Sequence, residues 1–137
     1  MFPLETRVLV VDDMPSIREL VKSQLKTMGY IDIHEAENGE HALQKILSLD
    51  AAGSPVQLVI SDWNMPKLTG LEFLKQLRGN HAYQKIPFVL LTSEAERDQV
   101  TEAILAGVSQ YVVKPFSGKV FEDKLKQVWL KHHAAGK

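Results

Sequence analysis

The sequence predicts an α/β fold, a doubly wound five-stranded parallel sheet with five helices. Three observations predict it. Short β-branched runs alternate with longer amphipathic stretches five times over, and that alternation builds a parallel sheet through right-handed crossovers. The run Val8-Leu9-Val10-Val11 is apolar throughout, as a strand buried on both faces must be. Four of the five strands end in a polar residue, and open α/β sheets bind ligands beyond those carboxyl ends.

The first strand, Val8 to Val11, stops at Asp12-Asp13, and Pro15-Ser16 suits a helix entry. Ile17, Leu20, Val21, Leu25 and Met28 recur at helical spacing, and Gly29 supplies a stop. Ile31 to Ala36 is a weaker second strand. Asn38-Gly39 reads as a turn before a short helical stripe of Ala42, Leu43, Ile46 and Leu47. Asp50 to Pro55 reads as a loop by composition. Leu58-Val59-Ile60 forms the third strand, ending at Asp62. After the loop Asn64 to Gly70, Leu71, Phe73, Leu74 and Leu77 mark a third helix, closed near Gly79-Asn80. Phe88 to Leu91 is the fourth strand and ends at Thr92. Glu94 to Ala106 reads as the fourth helix, with Val100, Ala103, Ile104 and Leu105 apolar. Tyr111-Val112-Val113 is the fifth strand and ends at Lys114. Val120, Phe121, Leu125, Val128 and Trp129 define the last helix, and His132 to Lys137 is expected to fray.

Composition narrows the function. A chain of 137 residues with 45% hydrophobic and 24% charged residues suits one domain, able to bury roughly 70% of its unfolded surface. Sixteen basic against seventeen acidic residues leave a net charge of -1, which argues against nucleic-acid binding. Cysteine is absent, so thiol catalysis, disulfides and thiolate zinc sites are excluded. The five histidines are scattered and suggest no metal site. No phosphate-loop or dinucleotide glycine motif occurs. Apolar runs are far below the ~20 residues of a membrane span, and the N-terminus lacks a signal-peptide layout. A cytoplasmic monomer is expected.

The strand ends carry the chemistry. Asp12, Asp13, Asp62, Thr92 and Lys114 meet at one end of such a sheet. Each alone reads as a loop start, a helix cap or a solvated lysine; together they read as a site. Three neighbouring carboxylates repel and raise one another's proton affinity unless a cation compensates, and Mg²⁺ suits such a set. A carboxylate with a free oxygen is then a nucleophile toward phosphorus. Lys114 and Thr92 are placed to meet the oxygens of a transferring phosphoryl group.

Through Val10-Val11-Asp12-Asp13, Ser61-Asp62-Trp63-Asn64-Met65-Pro66, Leu91-Thr92-Ser93-Glu94 and Tyr111-Val112-Val113-Lys114-Pro115-Phe116, the sequence resembles the receiver domain of two-component response regulators. The single-domain chemotaxis regulators are most similar, over about Arg7 to Leu130. The resemblance implies a flavodoxin-like sheet of order 2-1-3-4-5, with residues 1–137 as a single receiver domain. It implies that Asp62 is phosphorylated by a histidine kinase. Asp12, Asp13, Asp62 and the backbone of Asn64 would hold Mg²⁺. Thr92 and Lys114 would contact the phosphoryl group, across a cis Lys114-Pro115 bond, and Tyr111 would be the rotamer switch. Asn64 and Glu94 would tune dephosphorylation. Ala95, Arg97, Val100, Tyr111, Val113 and Lys124 would form the output surface on helix four, strand five and helix five. A flagellar motor switch protein and a phosphatase are the partners so implied.

Two features depart from that pattern. The connection Ser48 to Gln57 is longer, and Glu96 and Gln127 stand where motor binders tend to be basic. A phosphorelay intermediate or phosphate sink would use the same residues. An Mg²⁺-dependent aspartyl-phosphate phosphohydrolase wants an acid two residues after its nucleophile. Asn64 and Met14 supply none.

Overall fold

A computed structural model describes residues 1–65, 67–93 and 99–134. Five strands and five helices alternate: β1 (Val8–Val11), α1 (Pro15–Thr27), β2 (Ile33–Ala36), α2 (Gly39–Ala51), β3 (Leu58–Asp62), α3 (Gly70–Gly79), β4 (Phe88–Thr92), α4 (Val100–Leu105), β5 (Gln110–Val113) and α5 (Gly118–Ala134). The sheet order is β2-β1-β3-β4-β5, and every pairing is parallel.

Strand alternation divides the core in two. Leu9, Val11, Val59, Phe88 and Leu90 face one side, where Ala42, Ile46, Phe73, Leu74 and Leu77 of α2 and α3 cover them. Val8, Val10, Leu58, Ile60, Val89, Leu91 and Val112 face the other, under Val21 and Leu25 of α1 and Phe121, Leu125 and Val128 of α5. Both faces are therefore apolar, which is why β1, β3 and β4 read as continuous hydrophobic runs. Register follows from the same pattern: Val10 pairs with Ile60, Ile60 with Val89 and Leu91 with Val112. A slip of one residue would exchange the two faces.

The helix signals hold at α1 and α3. Pro15 opens α1, and Gly29 follows it at φ 103°, a conformation that glycine adopts readily. At α3, Thr69 and Glu72 form a reciprocal capping box. Asn38-Gly39, read as a turn, is instead the start of α2. The Asn38 side chain accepts from the His41 N–H, and Gly39 is the first helical residue. Asp50 and Ala51, read as loop, complete that helix. β2 begins at Ile33, since Ile31 is 82% exposed.

Four apolar stripes include residues that tertiary packing leaves outside. Leu20, Leu47, Ile104, Leu105 and Val120 are exposed, whereas Val21, Leu25, Ala42, Ile46, Val100, Ala103 and Phe121 are buried. Of the tail expected to fray, residues 132–134 belong to a helix, and residues 135–137 lie outside the described residues. Helix α5 runs to Ala134 and His132 Nε2 lies 2.6 Å from Ser109 Oγ. Ring contacts join Phe2 of the N-terminal segment to Trp129 of α5, and Phe116 after β5 to Phe121 in the first turn of α5.

Candidate functional site

Parallel strands bring their carboxyl ends to one edge, so β1, β3, β4 and β5 deliver Asp12-Asp13, Asp62, Thr92 and Lys114 together. Carboxylate oxygens of Asp12, Asp13 and Asp62 all lie within 4.8 Å of one another. Asp12 and Asp62 are buried and Asp13 is exposed. The cluster is thus sealed on the protein side and open at Asp13.

Lys114 Nζ donates to Asp62 Oδ1 at 2.7 Å. The Lys114 side chain is 28% exposed and that of Asp62 9%, so this pair is shielded far more than a surface ion pair. Asp12 is held differently. Its Oδ1 accepts from the Met14 N–H at 2.9 Å, and its backbone carbonyl accepts from Arg18 Nη1 at 2.6 Å. Its Oδ2 is buried with no hydrogen-bond partner among the described residues. Burial pushes the Asp12 pKa up to about 6; Asp62 and Asp13 add to the rise, while the Met14 N–H and Lys114 oppose it.

A divalent cation fits these groups. An unpartnered buried carboxylate oxygen needs a donor or a cation, and three clustered carboxylates with one ammonium leave negative charge uncompensated. Hard oxygen ligands with an open side are what Mg²⁺ prefers, because it retains several waters. Asp12, Asp13 and Asp62 could hold it; Asn64 is exposed beside them on the loop after β3.

Thr92 is fully buried, and its hydroxyl has no partner among the described residues. An unused hydroxyl at a strand end is costly, and here it stands one strand from Asp62. The Lys114 N–H donates to the Thr92 carbonyl at 2.6 Å, which ties the two strand ends together. The Lys114-Pro115 peptide is cis, as the resemblance implied.

Tyr111 is half-buried on β5, with the Lys124 ammonium 5.2 Å from its ring centroid. Val113 and Lys124 are also half-buried. Val100 is buried, because it shares the inward face of α4 with Ala103, so it is not the surface residue expected. Glu94, Ala95 and Arg97 lie outside the described residues.

Sequence reasoning passed over Gly70 and Lys67. A Cβ on Gly70 would overlap the Asp62 backbone carbonyl oxygen and lie 2.9 Å from Leu90 Cδ2. The Gly70 N–H also donates to the Trp63 carbonyl at 2.9 Å. Gly70 therefore lets α3 press directly on the backbone of Asp62. Lys67 sits at φ 68° in the same loop, a conformation uncommon without glycine. The readable signal was Thr69-Gly70 ahead of a helical stripe; the contact itself was not readable. Trp63 and Met65 are buried and pack in the core.

Comparison with known proteins agrees with this geometry. The response regulator receiver domain family matches residues 8–126. The chain is 38% identical over 122 residues to chemotaxis protein CheY1 of Helicobacter pylori strain J99, covering 89% of this chain and 95% of that protein. It is 35% identical over 123 residues to chemotaxis protein CheY of Pseudomonas aeruginosa, covering 90% and 95% respectively. The solved structure of chemotaxis response regulator CheY4 of Vibrio cholerae superposes with a TM-score of 0.78 at 35% identity, over 90% of this chain and 98% of that one. The order of the sheet, the acidic cluster at its carboxyl edge and these likenesses converge on one family: the chain belongs to the response regulator receiver domains, of the CheY type.

Proposed function

We propose that the chain is a single-domain response regulator that is switched by phosphorylation of Asp62 in chemotaxis signalling. The observation that carries this reading is the pairing of Lys114 Nζ with Asp62 Oδ1 at 2.7 Å inside the carboxylate cluster. An oxygen of Asp62 attacks the phosphorus of a histidine kinase's phosphohistidine. The P–N bond breaks and its electron pair stays on the imidazole nitrogen. Later attack by water on phosphorus releases inorganic phosphate and restores the carboxylate. The protein then acts as a signalling component and not as a metabolic enzyme.

The residues divide the work. Asp12, Asp13, Asp62 and the backbone carbonyl of Asn64 would hold Mg²⁺, which when bound supplies positive charge against the phosphoryl oxygens. Lys114 holds an ammonium at the acceptor oxygen, a fixed charge of the kind phosphoryl transfer requires. Thr92 offers a hydroxyl with no other use among the described residues. Phosphorylation adds about -1.5 to -2 charge at Asp62. Thr92 and Lys114 move toward it and pull on the loops after β4 and β5. Tyr111 follows and leaves its station under Lys124, which changes the α4-β5-α5 face. Two relatives named as chemotaxis proteins support a flagellar motor switch protein as the partner of that face. Asn64 and Glu94 would set the rate of dephosphorylation, with or without a phosphatase.

The test is Trp63 fluorescence on addition of Mg²⁺ and then acetyl phosphate or beryllofluoride, with Trp129→Phe removing the second indole. A Mg²⁺-dependent change that disappears in Asp62→Asn is the expected result. No change, with no acyl phosphate detected by intact mass in the cold, would overturn the proposal.

A further inference from the structure

At the opposite end of the sheet from Asp62, a cavity of about 830 Å³ opens between the N-terminal segment, the strand starts and the end of α5. Thr6, Gln57, Pro87 and Ser109, which precede β1, β3, β4 and β5, line it. Nothing in the phosphorylation chemistry uses this end.

Its charge is one-sided. Arg78, Lys85 and Lys131 line it, with His132 beside them, against one carboxylate, Glu5. The Arg78 guanidinium is the informative group. Its Nε donates to the Gly107 carbonyl at 2.9 Å, while its Nη1 is out of contact with solvent and has no hydrogen-bond partner among the described residues. No carboxylate pairs with Arg78 among the described residues. Burial accordingly presses on its charged form. A partly buried guanidinium that lines a cavity and pairs with no carboxylate among the described residues lacks a counter-ion that an anion in the cavity would supply. The other wall is apolar, with Phe2, Pro87 and the half-buried Trp129.

We propose that this cavity binds a small organic anion, with a phosphate or carboxylate toward Arg78 and Lys85 and a flat apolar body against Trp129. The volume lies within the ~300–1,000 Å³ usual for small-molecule sites. The pairing of a fixed guanidinium with an aromatic wall selects an anionic headgroup on a planar ring.

The experiment is an amide NMR titration of the ¹⁵N-labelled full chain. The probes are AMP, indole-3-carboxylate, their uncharged counterparts adenosine and indole, and inorganic phosphate. The expected result is saturable shifts at Gly107 and Ser109 with AMP or indole-3-carboxylate. The uncharged counterparts and inorganic phosphate should bind about tenfold more weakly or less. Arg78→Met should weaken the favoured probe about tenfold. Lys85→Glu, at an exposed residue with no hydrogen bond or ion pair among the described residues, should weaken it about threefold or more, which keeps the test alive if Arg78→Met folds poorly. Four results would each overturn the proposal: no saturable shift at millimolar probe, equal binding of the uncharged counterparts, binding indifferent to both variants, or shifts confined to residues around Asp12, Asp62 and Lys114.

Discussion

Replacing Gly70 by alanine tests whether α3 truly rests on the backbone of the acceptor aspartate. Helix propensity alone would favour alanine by up to ~1 kcal/mol, less at a first helical position. Contact opposes it. The new methyl would overlap the Asp62 carbonyl oxygen, with Leu90 Cδ2 at 2.9 Å and the Asp62 carbonyl carbon at 3.1 Å. Leu90 is a flexible side chain and can yield; the Asp62 backbone belongs to a strand paired on both sides. Overpacking of this kind costs ~1–3 kcal/mol, so the contact outweighs the propensity. We expect Gly70→Ala to destabilise the fold by about 2 kcal/mol, a fall in Tm of roughly 6 °C. Urea unfolding measures the loss directly. Gly79→Ala is the control, because an added Cβ there meets nothing within 4 Å, and its stability should stay within about 0.5 kcal/mol or rise. The same displacement of Asp62 should weaken the Mg²⁺-dependent fluorescence response. A Gly70→Ala protein as stable as the parent would refute the packing argument.

Three further outcomes follow from the site. With Asp12 at about 6 against an ordinary 3.8, the folded state binds its proton more tightly than the unfolded chain. This group therefore stabilises the metal-free fold below about pH 4, and that contribution is lost as pH rises through about 6. Mg²⁺ competes with the same proton, so its apparent affinity should be about tenfold weaker at pH 5 than at pH 8; a flat affinity across that range, measured by Trp63 fluorescence, would remove Asp12 from the metal site. Thr92→Val deletes a buried hydroxyl without a partner, so the resting protein should gain about 1 kcal/mol in urea unfolding while the response to beryllofluoride falls. Loss of stability instead would mean that the hydroxyl already makes a bond. Lys114→Met removes the cation beside Asp62, which should raise the Asp12 pKa further and abolish the response; an unchanged Asp12 titration by NMR would show that Lys114 does not reach the cluster in solution.

The sequence carried more of this protein than its composition suggests. Runs such as Val8 to Val11 and Phe88 to Leu91 are apolar at every position because both faces of the sheet are covered. Strand identity, helix count and the polar residues at four of the five strand ends were therefore legible locally. Parallel connections then place those polar ends on one edge, so the grouping of Asp12, Asp13, Asp62, Thr92 and Lys114 follows from the sequence pattern.

Tertiary structure decided which member of an apolar stripe turns inward. Val100 is buried while Ile104 and Leu105 on the same short helix are exposed, because facing depends on the neighbour each helix meets and not on its own periodicity. It also decided what glycine was for: Gly70 and Gly79 bound the same helix, yet only Gly70 lies against the Asp62 carbonyl. The composition of His132 to Lys137 suggested a frayed end, whereas α5 extends through Ala134 and His132 meets Ser109 within the described residues. In the same way Arg78 reads as an ordinary helix-end cation until packing buries its Nη1 beside a cavity, with no carboxylate paired to it among the described residues. Local chemistry determines which residues can form a strand, a cap or a carboxylate cluster; burial and close approach are properties of two segments at once, and the chain acquires them only on folding.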